Sequence, residues 1–253
     1  MTHTVSPDDL LPFNAFADHH PIEIDIVYAK PDHPHNLFGQ LYPAGTDIMW
    51  GHKDILQITL IAAHLCHRAH GWTLSLKDCY RPVDAQRKMQ DFNVHPSLLS
   101  APGQGGHPRG MAIDIVPLDH NGHAVDMGTP FDYFAPDPDH HNPAARDFTD
   151  LPHEVIQNRT RLQDAVREAA RRCDLDILPL PQEWWDFRFM PAVVRAHSPI
   201  DENDLYPFQR VMRSATKRDS TILSDQYSAK MTENIKEIER KTLLSLEKDE
   251  NRE

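Results

Sequence analysis

The chain has 253 residues, 21 of them proline, and its net charge at neutral pH is −12. That length is sufficient for one sizeable domain with extensions, and the prolines predict long ordered loops. The negative charge argues against nucleic acid and against an anionic membrane surface as partners, because both bind basic faces. The sequence contains no run of about eighteen apolar residues, so no membrane-spanning helix is predicted.

The N-terminus and the cysteines both predict a cytoplasmic location. The N-terminal residues contain no basic segment followed by an apolar one, which is the pattern of a secretory signal. The cysteines, Cys66, Cys79 and Cys173, are odd in number and lack the spacing of metal ligands. We therefore expect reduced thiols in a cytoplasmic protein.

The periodicity of apolar residues predicts short strands and a few longer helices. In chain order, strands are predicted at residues 22–28, 73–78, 111–116, 177–180 and 183–189, and helices at residues 53–70, 84–92 and 160–173. Because the strands do not alternate regularly with the helices, we expect an α+β fold with a central antiparallel sheet and flanking helices.

Three segments are predicted from composition and periodicity. Residues 1–22 show little periodicity and are predicted to form an N-terminal arm that lies on the domain. Residues 23–200 contain the predicted strands and helices and form the main domain. Residues 201–253 are a predicted extension that ends in a charged stretch with a weak helical stripe of apolar residues, typical of a tail or docking helix.

His107 and Asp114 are the most informative residues, and an apolar run begins between them after Gly110. Imidazole nitrogen and carboxylate oxygen are ligands that catalytic zinc accepts while it keeps one position open for water. On a strand, Asp114 would share a face with apolar residues, and a buried carboxylate needs a partner. Two alternatives stay open. Asp114 can pair with an arginine such as Arg109, and His107 can be an ordinary loop histidine.

The segment Glu183-Trp184-Trp185-Asp186 adds a candidate general base and a candidate third ligand. Beside a metal, Glu183 would take a proton from bound water and pass it to the leaving amine. In a regular strand Glu183 and Asp186 point to opposite faces, so a shared site requires a bend or a turn here. The alternative is a pair of core tryptophans flanked by exposed acids.

A third motif, Asp78-Cys79-Tyr80-Arg81-Pro82, ends a predicted strand. Arg81 could stabilise an oxyanion beside the metal. The alternative is a structural pair of Arg81 and Asp78 followed by a proline that stops the strand.

Together these segments resemble the D-alanyl-D-alanine dipeptidases, which are zinc enzymes. The resemblance extends from about residue 28 to about residue 189. It is carried by Tyr28, Asn36-Leu37-Phe38-Gly39, Asp78-Cys79-Tyr80-Arg81-Pro82, His107 to Asp114, Met127-Gly128-Thr129-Pro130-Phe131-Asp132, Asn158-Arg159 and Glu183-Trp184-Trp185. The resemblance implies a metallopeptidase-like catalytic domain over residues 23–200, with the zinc peptidase fold that the Hedgehog signalling domain also resembles.

The resemblance also implies a role for each site residue. His107 and Asp114 would ligate zinc, with Asp186 at the third position. Glu183 would be the base and Arg81 would stabilise the transition state. For the substrate, Asp132 would bind the ammonium group and Tyr28 would help to hold the dipeptide.

Two positions depart from the family pattern. Asp186 stands where the family has a histidine, and Gly105 stands where it has a serine. A His, Asp, Asp set carries one more negative charge than His, Asp, His, so the site would tolerate harder ions such as Mn²⁺ beside Zn²⁺. The loss of the serine hydroxyl would change the preferred peptide.

The sequence therefore supports two functional hypotheses. The first is a metal-dependent dipeptidase that hydrolyses D-Ala-D-Ala or a similar small dipeptide from peptidoglycan metabolism. The second is a catalytically impaired relative that binds a dipeptide or acts as a regulatory protein, because the third histidine is missing. The sequence does not predict the oligomeric state.

Overall fold

The computed structural model describes residues 2–213 and 223–250. Its strands are β1 (Leu10–Pro12), β2 (Ile22–Ile24), β3 (Trp50–His52), β4 (Thr73–Asp78), β5 (Ala112–Leu118), β6 (Ile177–Pro179) and β7 (Asp186–Phe189). Its α-helices are α1 (Lys53–His70), α2 (Val83–Met89), α3 (His153–Arg172), α4 (Pro191–Arg195) and α5 (Ala229–Glu250). Short 3-10 helices occur in several connections.

Five strands form one sheet in the order β2-β4-β5-β7-β6. Neighbouring strands are antiparallel except at the edge, where β2 pairs with β4 in parallel. Strands β1 and β3 form a separate antiparallel pair. This architecture confirms the predicted α+β fold with a sheet and flanking helices.

Helix α1 illustrates how the sequence sets the ends of an element. The His52 side chain accepts a hydrogen bond from the backbone of Asp54 at the first turn, and Gly71 ends the helix in the left-handed conformation. The apolar face of α1 packs against α3, α5 and strand β4. Among the residues that the structure describes, no helix is both long and apolar enough to cross a membrane.

Both terminal segments pack on the main domain. Leu10, Leu11 and Phe13 are completely buried. Helix α5 packs on α1 and buries Met231 and Ile238. The boundaries at 22 and 200 stay predictions, and residues 1, 214–222 and 251–253 of these segments lie outside the described residues.

Six of the eight predicted elements have different bounds in the structure, and three of these differences affect how the chain is read. The strand predicted at residues 22–28 ends at Ile24, and a 3-10 helix over Val27–Ala29 follows it. The helix predicted at residues 160–173 begins earlier, at His153, because Pro152 supplies the extended backbone that precedes a first turn. The strand predicted at residues 183–189 begins at Asp186, since the two tryptophans form a turn.

Candidate active site

Three aspartates lie side by side across the centre of the sheet. Asp78 at the end of β4 pairs with Asp114 of β5, and Asp114 pairs with Asp186 at the start of β7. Directly paired residues of neighbouring strands project from the same face, where like charges repel. All three are almost fully buried. This row of carboxylates therefore needs positive charge close by.

His107 lies over this row, on a 3-10 helix of residues His107–Arg109 just before β5. Its Nδ1 lies 2.8 Å from the carbonyl oxygen of Cys79, to which it can donate. Its Nε2 is 3.2 Å from Asp186 Oδ2 and 3.6 Å from Asp114 Oδ1. Burial opposes the charged imidazolium, but the negative charges of Asp114 and Asp186 outweigh it and raise the pKa of His107 to about 10.

Two atoms at the centre of this group fit a metal ion. Within the described residues, Asp114 Oδ1 is buried and has no hydrogen-bond partner. Two ligands of one tetrahedral zinc ion lie about 3.3 Å apart, close to the separations that Nε2 of His107 makes with the two carboxylates. The arrangement therefore fits a divalent cation held by His107 and Asp114.

Two aspartates compete for the third ligand position. The candidate ligand atoms of Asp78, His107 and Asp114 all lie within 4.8 Å of one another. Asp78, however, lies 3.5 Å from Nδ1 of His107, on the side that faces the Cys79 carbonyl. Asp186 does not belong to that group, but it contacts Nε2, the nitrogen that Asp114 also approaches. One imidazole cannot direct both nitrogens at the same ion, so the Nε2 side favours Asp186.

Each of these two aspartates is already paired with an arginine. Asp78 accepts hydrogen bonds from Arg81 Nε and from the Tyr42 hydroxyl, at 2.8 and 2.7 Å. Asp186 accepts from Arg188 Nε at 2.8 Å and also from Arg188 Nη2. Burial alone would raise the pKa of Asp186, but Arg188 and His107 hold it well below its usual range.

The turn before β7 brings Glu183 to the same cleft as His107, Asp114 and Asp186. Loss of hydration raises the pKa of Glu183 well above its ordinary value, and the charges of Asp186 and Asp114 add to this effect. Trp185 also lines the cleft, while the buried Trp184 donates to Thr129 Oγ1 at 2.8 Å. The turn thus removes the conflict that a regular strand would create between Glu183 and Asp186.

The predicted substrate residues face one another in the cleft. The Tyr28 hydroxyl donates to Asp132 Oδ2 at 2.7 Å, and the Arg81 guanidinium lies 5.1 Å from the centre of the Tyr28 ring. Burial raises the pKa of Asp132 to about 8. Asp132 also has a φ of 56°, a conformation that non-glycine residues adopt rarely and that is often found at functional sites.

The comparisons with known proteins identify the family. The family model described as D-ala-D-ala dipeptidase matches residues 16–202, which is most of the chain. The chain belongs to this family. A D-alanyl-D-alanine dipeptidase from Escherichia coli (strain K12) is 27% identical over 174 residues, covering 68% of this chain and 80% of the relative. The family assignment supports a peptidase function.

A solved structure shows a weaker likeness. The crystal structure of an L-Ala D-Glu endopeptidase from Serratia marcescens aligns with a TM-score of 0.35 and 16% identity. The alignment covers 55% of this chain and 80% of that chain.

The structure brings all seven sequence-predicted site residues to one cleft, and it answers the alternative in which Arg109 pairs with Asp114. Tyr28, Arg81, His107, Asp114, Asp132, Glu183 and Asp186 all line this cleft. Arg109 does not pair with Asp114; it donates to the carbonyl oxygens of Gly103, Gly105 and His197. The ring of His197 contacts that of His3 at 5.7 Å and is not among the lining residues, so it does not replace the missing histidine.

Sequence reasoning missed Arg188. A signal was present, because Asp186 and Arg188 are two positions apart on a strand and therefore share a face with opposite charges. The predicted structural pair of Arg81 with Asp78 is also present. Arg81 therefore helps to order the site, and it also lines the cleft.

Proposed function

We propose that this protein is a metal-dependent dipeptidase that hydrolyses D-Ala-D-Ala or a similar small dipeptide. The observation that carries the proposal is the meeting of His107 and the unpaired oxygen of Asp114 in a cleft shared with Glu183. His107 Nε2, Asp114 Oδ1 and Asp186 Oδ2 would hold a zinc ion or another divalent ion such as Mn²⁺. When bound, that ion supplies Lewis acidity and lowers the pKa of a coordinated water.

Glu183 is the proposed general base. It takes a proton from the attacking water and then donates it to the nitrogen of the leaving amino acid. Loss of hydration raises the pKa of Glu183, and a carboxylate with a raised pKa is a stronger base toward the attacking water. The buried tryptophans beside it keep bulk water away.

Arg81 is proposed to stabilise negative charge on the carbonyl oxygen as the tetrahedral species forms. Neighbouring Asp78 and the Tyr28 ring fix its guanidinium in the cleft. The nearby carboxylates raise the pKa of Arg81 despite its burial, so it stays cationic. Asp132, oriented by the Tyr28 hydroxyl, is proposed to bind the substrate ammonium group.

The second hypothesis, a binding protein without hydrolysis, is favoured by one observation. Arg188 engages both oxygens of Asp186, so a guanidinium already neutralises the proposed third ligand. The same contact is compatible with metal binding, because each carboxylate oxygen has a second lone pair. In that case Arg188 offsets the extra negative charge that an aspartate brings in place of a histidine.

Hydrolysis assays decide between these functions. Purified protein is incubated with D-Ala-D-Ala and with LD, DL and LL dipeptides, with Zn²⁺ and Mn²⁺ added separately, and released amino acids are measured. We expect metal-dependent turnover of at least one dipeptide that contains a D-residue. Dipeptide binding without turnover under any metal would reject the hydrolase and support the binding protein. The variant Asp186→His tests the role of Asp186. If Asp186 is a working metal ligand, the variant loses activity; if the site is degenerate, the variant gains activity.

A further inference from the structure

Arg188 projects from β7 into the proposed active site, and Asp186 holds it there. The bidentate contact uses Nε and Nη2 of the guanidinium and both oxygens of the carboxylate. Such paired hydrogen bonds fix the plane of a guanidinium. The Arg188 side chain is 14% exposed and lines the cleft. The arginine is therefore rigid, charged and accessible from the cleft.

The third nitrogen of this guanidinium is free. Among residues 2–213 and 223–250, Nη1 of Arg188 has no hydrogen-bond acceptor. It lies beside Gly105, where a Cβ atom would be 3.5 Å from Nη1 and 3.3 Å from Ser100 Oγ. A Cβ atom at 105 would therefore be in ordinary van der Waals contact with this nitrogen and in tighter contact with Ser100 Oγ. The two departures from the family pattern, Gly105 and Asp186, thus flank the same guanidinium.

The guanidinium nitrogens of the other cleft arginine, Arg81, all face groups of the protein. Arg81 donates from Nε to Asp78 and from Nη1 to Met89 Sδ, and its Nη2 lies 3.6 Å from Asp114. The remaining charged lining residues include the acids Asp114, Asp132, Glu183 and Asp186. An anionic ligand would therefore find at Arg188 a cationic donor that no acceptor of the described residues occupies.

We propose that Arg188 Nη1 binds the free carboxylate of the substrate, an inference that rests on the proposed dipeptidase function. In a dipeptide this carboxylate is three bonds beyond the scissile carbonyl carbon, on the order of 3–4 Å away. Arg188 directly contacts the proposed metal ligand Asp186, so it lies in the part of the cleft where the substrate carboxylate would be. The substrate class is then a short zwitterionic peptide, with its ammonium at Asp132 and its carboxylate at Arg188.

Binding measurements with matched ligands test this assignment. Glu183→Gln protein is used so that no ligand is hydrolysed, and calorimetry measures Kd for D-Ala-D-Ala and for its C-terminal amide. A charge-assisted hydrogen bond predicts that the acid binds about 10–100-fold more tightly than the amide. With Arg188→Met added, we expect the ratio to fall to about 1–2-fold, and with Arg188→Lys we expect it to be partly restored.

Three controls separate recognition from a structural effect. N-acetylation of D-Ala-D-Ala, which removes the ammonium group, should weaken binding equally with and without Arg188. Arg87→Met makes the same chemical change at an exposed arginine and should leave the acid-to-amide ratio unchanged. Thermal unfolding of each variant verifies that it folds.

An unchanged acid-to-amide ratio in folded Arg188→Met protein would overturn the inference, and so would failure of the Glu183→Gln protein to bind the dipeptide at millimolar concentration. The proposed function fails separately. If the wild-type chain hydrolyses no dipeptide but shows the Arg188-dependent preference for the acid, carboxylate recognition stands and hydrolysis is rejected.

Discussion

Two aspartate–arginine pairs flank His107, and their surroundings differ. Asp78 and Arg81 lie on the Nδ1 side with the Tyr42 hydroxyl, and all of their described polar contacts are internal. Asp186 and Arg188 lie on the Nε2 side, where Arg188 keeps one nitrogen free toward the cleft. On the Nδ1 side the pair orders the site and holds Arg81 for its proposed role at the carbonyl oxygen. On the Nε2 side the pair supplies, in our account, a metal ligand and a substrate contact.

The comparison also shows how an aspartate can replace a histidine. An additional carboxylate in a row of three would be strongly unfavourable by itself. Arg188, two positions along the same strand, brings a compensating charge without changing the sheet. Arg188 therefore balances the charge of Asp186 from within the same strand, and Gly105 lies beside its guanidinium.

The largest effect on activity is expected from substitution of Glu183, the proposed base, which lies in the cleft with Asp186 and Arg188. Glu183→Gln keeps the size of the side chain but removes proton transfer, so kcat should fall about 10²–10⁴-fold while the dipeptide still binds. Steady-state kinetics measures this change. Glu154→Gln, the same substitution at an exposed position of α3, should leave kcat unchanged. Retention of full activity by Glu183→Gln would remove Glu183 from the mechanism.

The next effect compares the two pairs directly through zinc affinity. Loss of a residue that only supports a metal ligand weakens metal binding by roughly 10–100-fold. Because Asp186 is a proposed ligand itself, Asp186→Asn should weaken Zn²⁺ binding by more than this. Asp78→Asn, which only orients His107 and Arg81, should stay within that range. Competition with a chromogenic chelator gives both affinities. A larger loss in Asp78→Asn than in Asp186→Asn would reverse our assignment of the third ligand.

Stability should show the opposite order. Asp78→Asn leaves the buried Arg81 without its carboxylate, and breaking a buried ion pair costs on the order of 3–5 kcal/mol. Asp186→Asn should lower the free energy of unfolding less, because Arg188 can turn toward the cleft. Urea unfolding of the metal-free proteins measures both values. Equal losses would mean that the two pairs are equivalent structural elements.

The smallest effect is expected at the substrate end of the cleft. Tyr28→Phe removes the hydroxyl that donates to Asp132, so the ammonium-binding carboxylate loses its orientation. KM should rise roughly tenfold, in line with the loss of one hydrogen bond, with little change in kcat. The control is Tyr133→Phe, whose ring is only partly buried next to the core. A fall in kcat alone would place Tyr28 in the chemical step instead.

The fold was predictable where periodicity is strong. The helix at residues 53–70 and the strand at residues 73–78 have the predicted bounds, because His52 and Gly71 cap the helix and the apolar residues of the strand alternate. Residues 183–185 were less predictable. Two tryptophans are typical of a strand, but here they form a turn whose conformation is set by packing against Phe131 and by the bond to Thr129.

The candidate site was predictable as a set of residue types and less so as a set of contacts. His107, Asp114, Glu183 and Arg81 follow from motifs in the sequence. The row of three aspartates does not, because it depends on the register of β4, β5 and β7, which are far apart in the chain. The contact between Arg188 and Gly105 likewise depends on tertiary packing.

One measurement tests the central claim most directly, namely that His107, Asp114 and Asp186 hold one divalent ion. Crystals of the protein grown with zinc are measured above and below the zinc absorption edge. Our account predicts one strong anomalous peak about 2.0–2.2 Å from His107 Nε2 and from a carboxylate oxygen of each aspartate. A peak bound through Asp78, or no peak at His107 under saturating zinc, would contradict it.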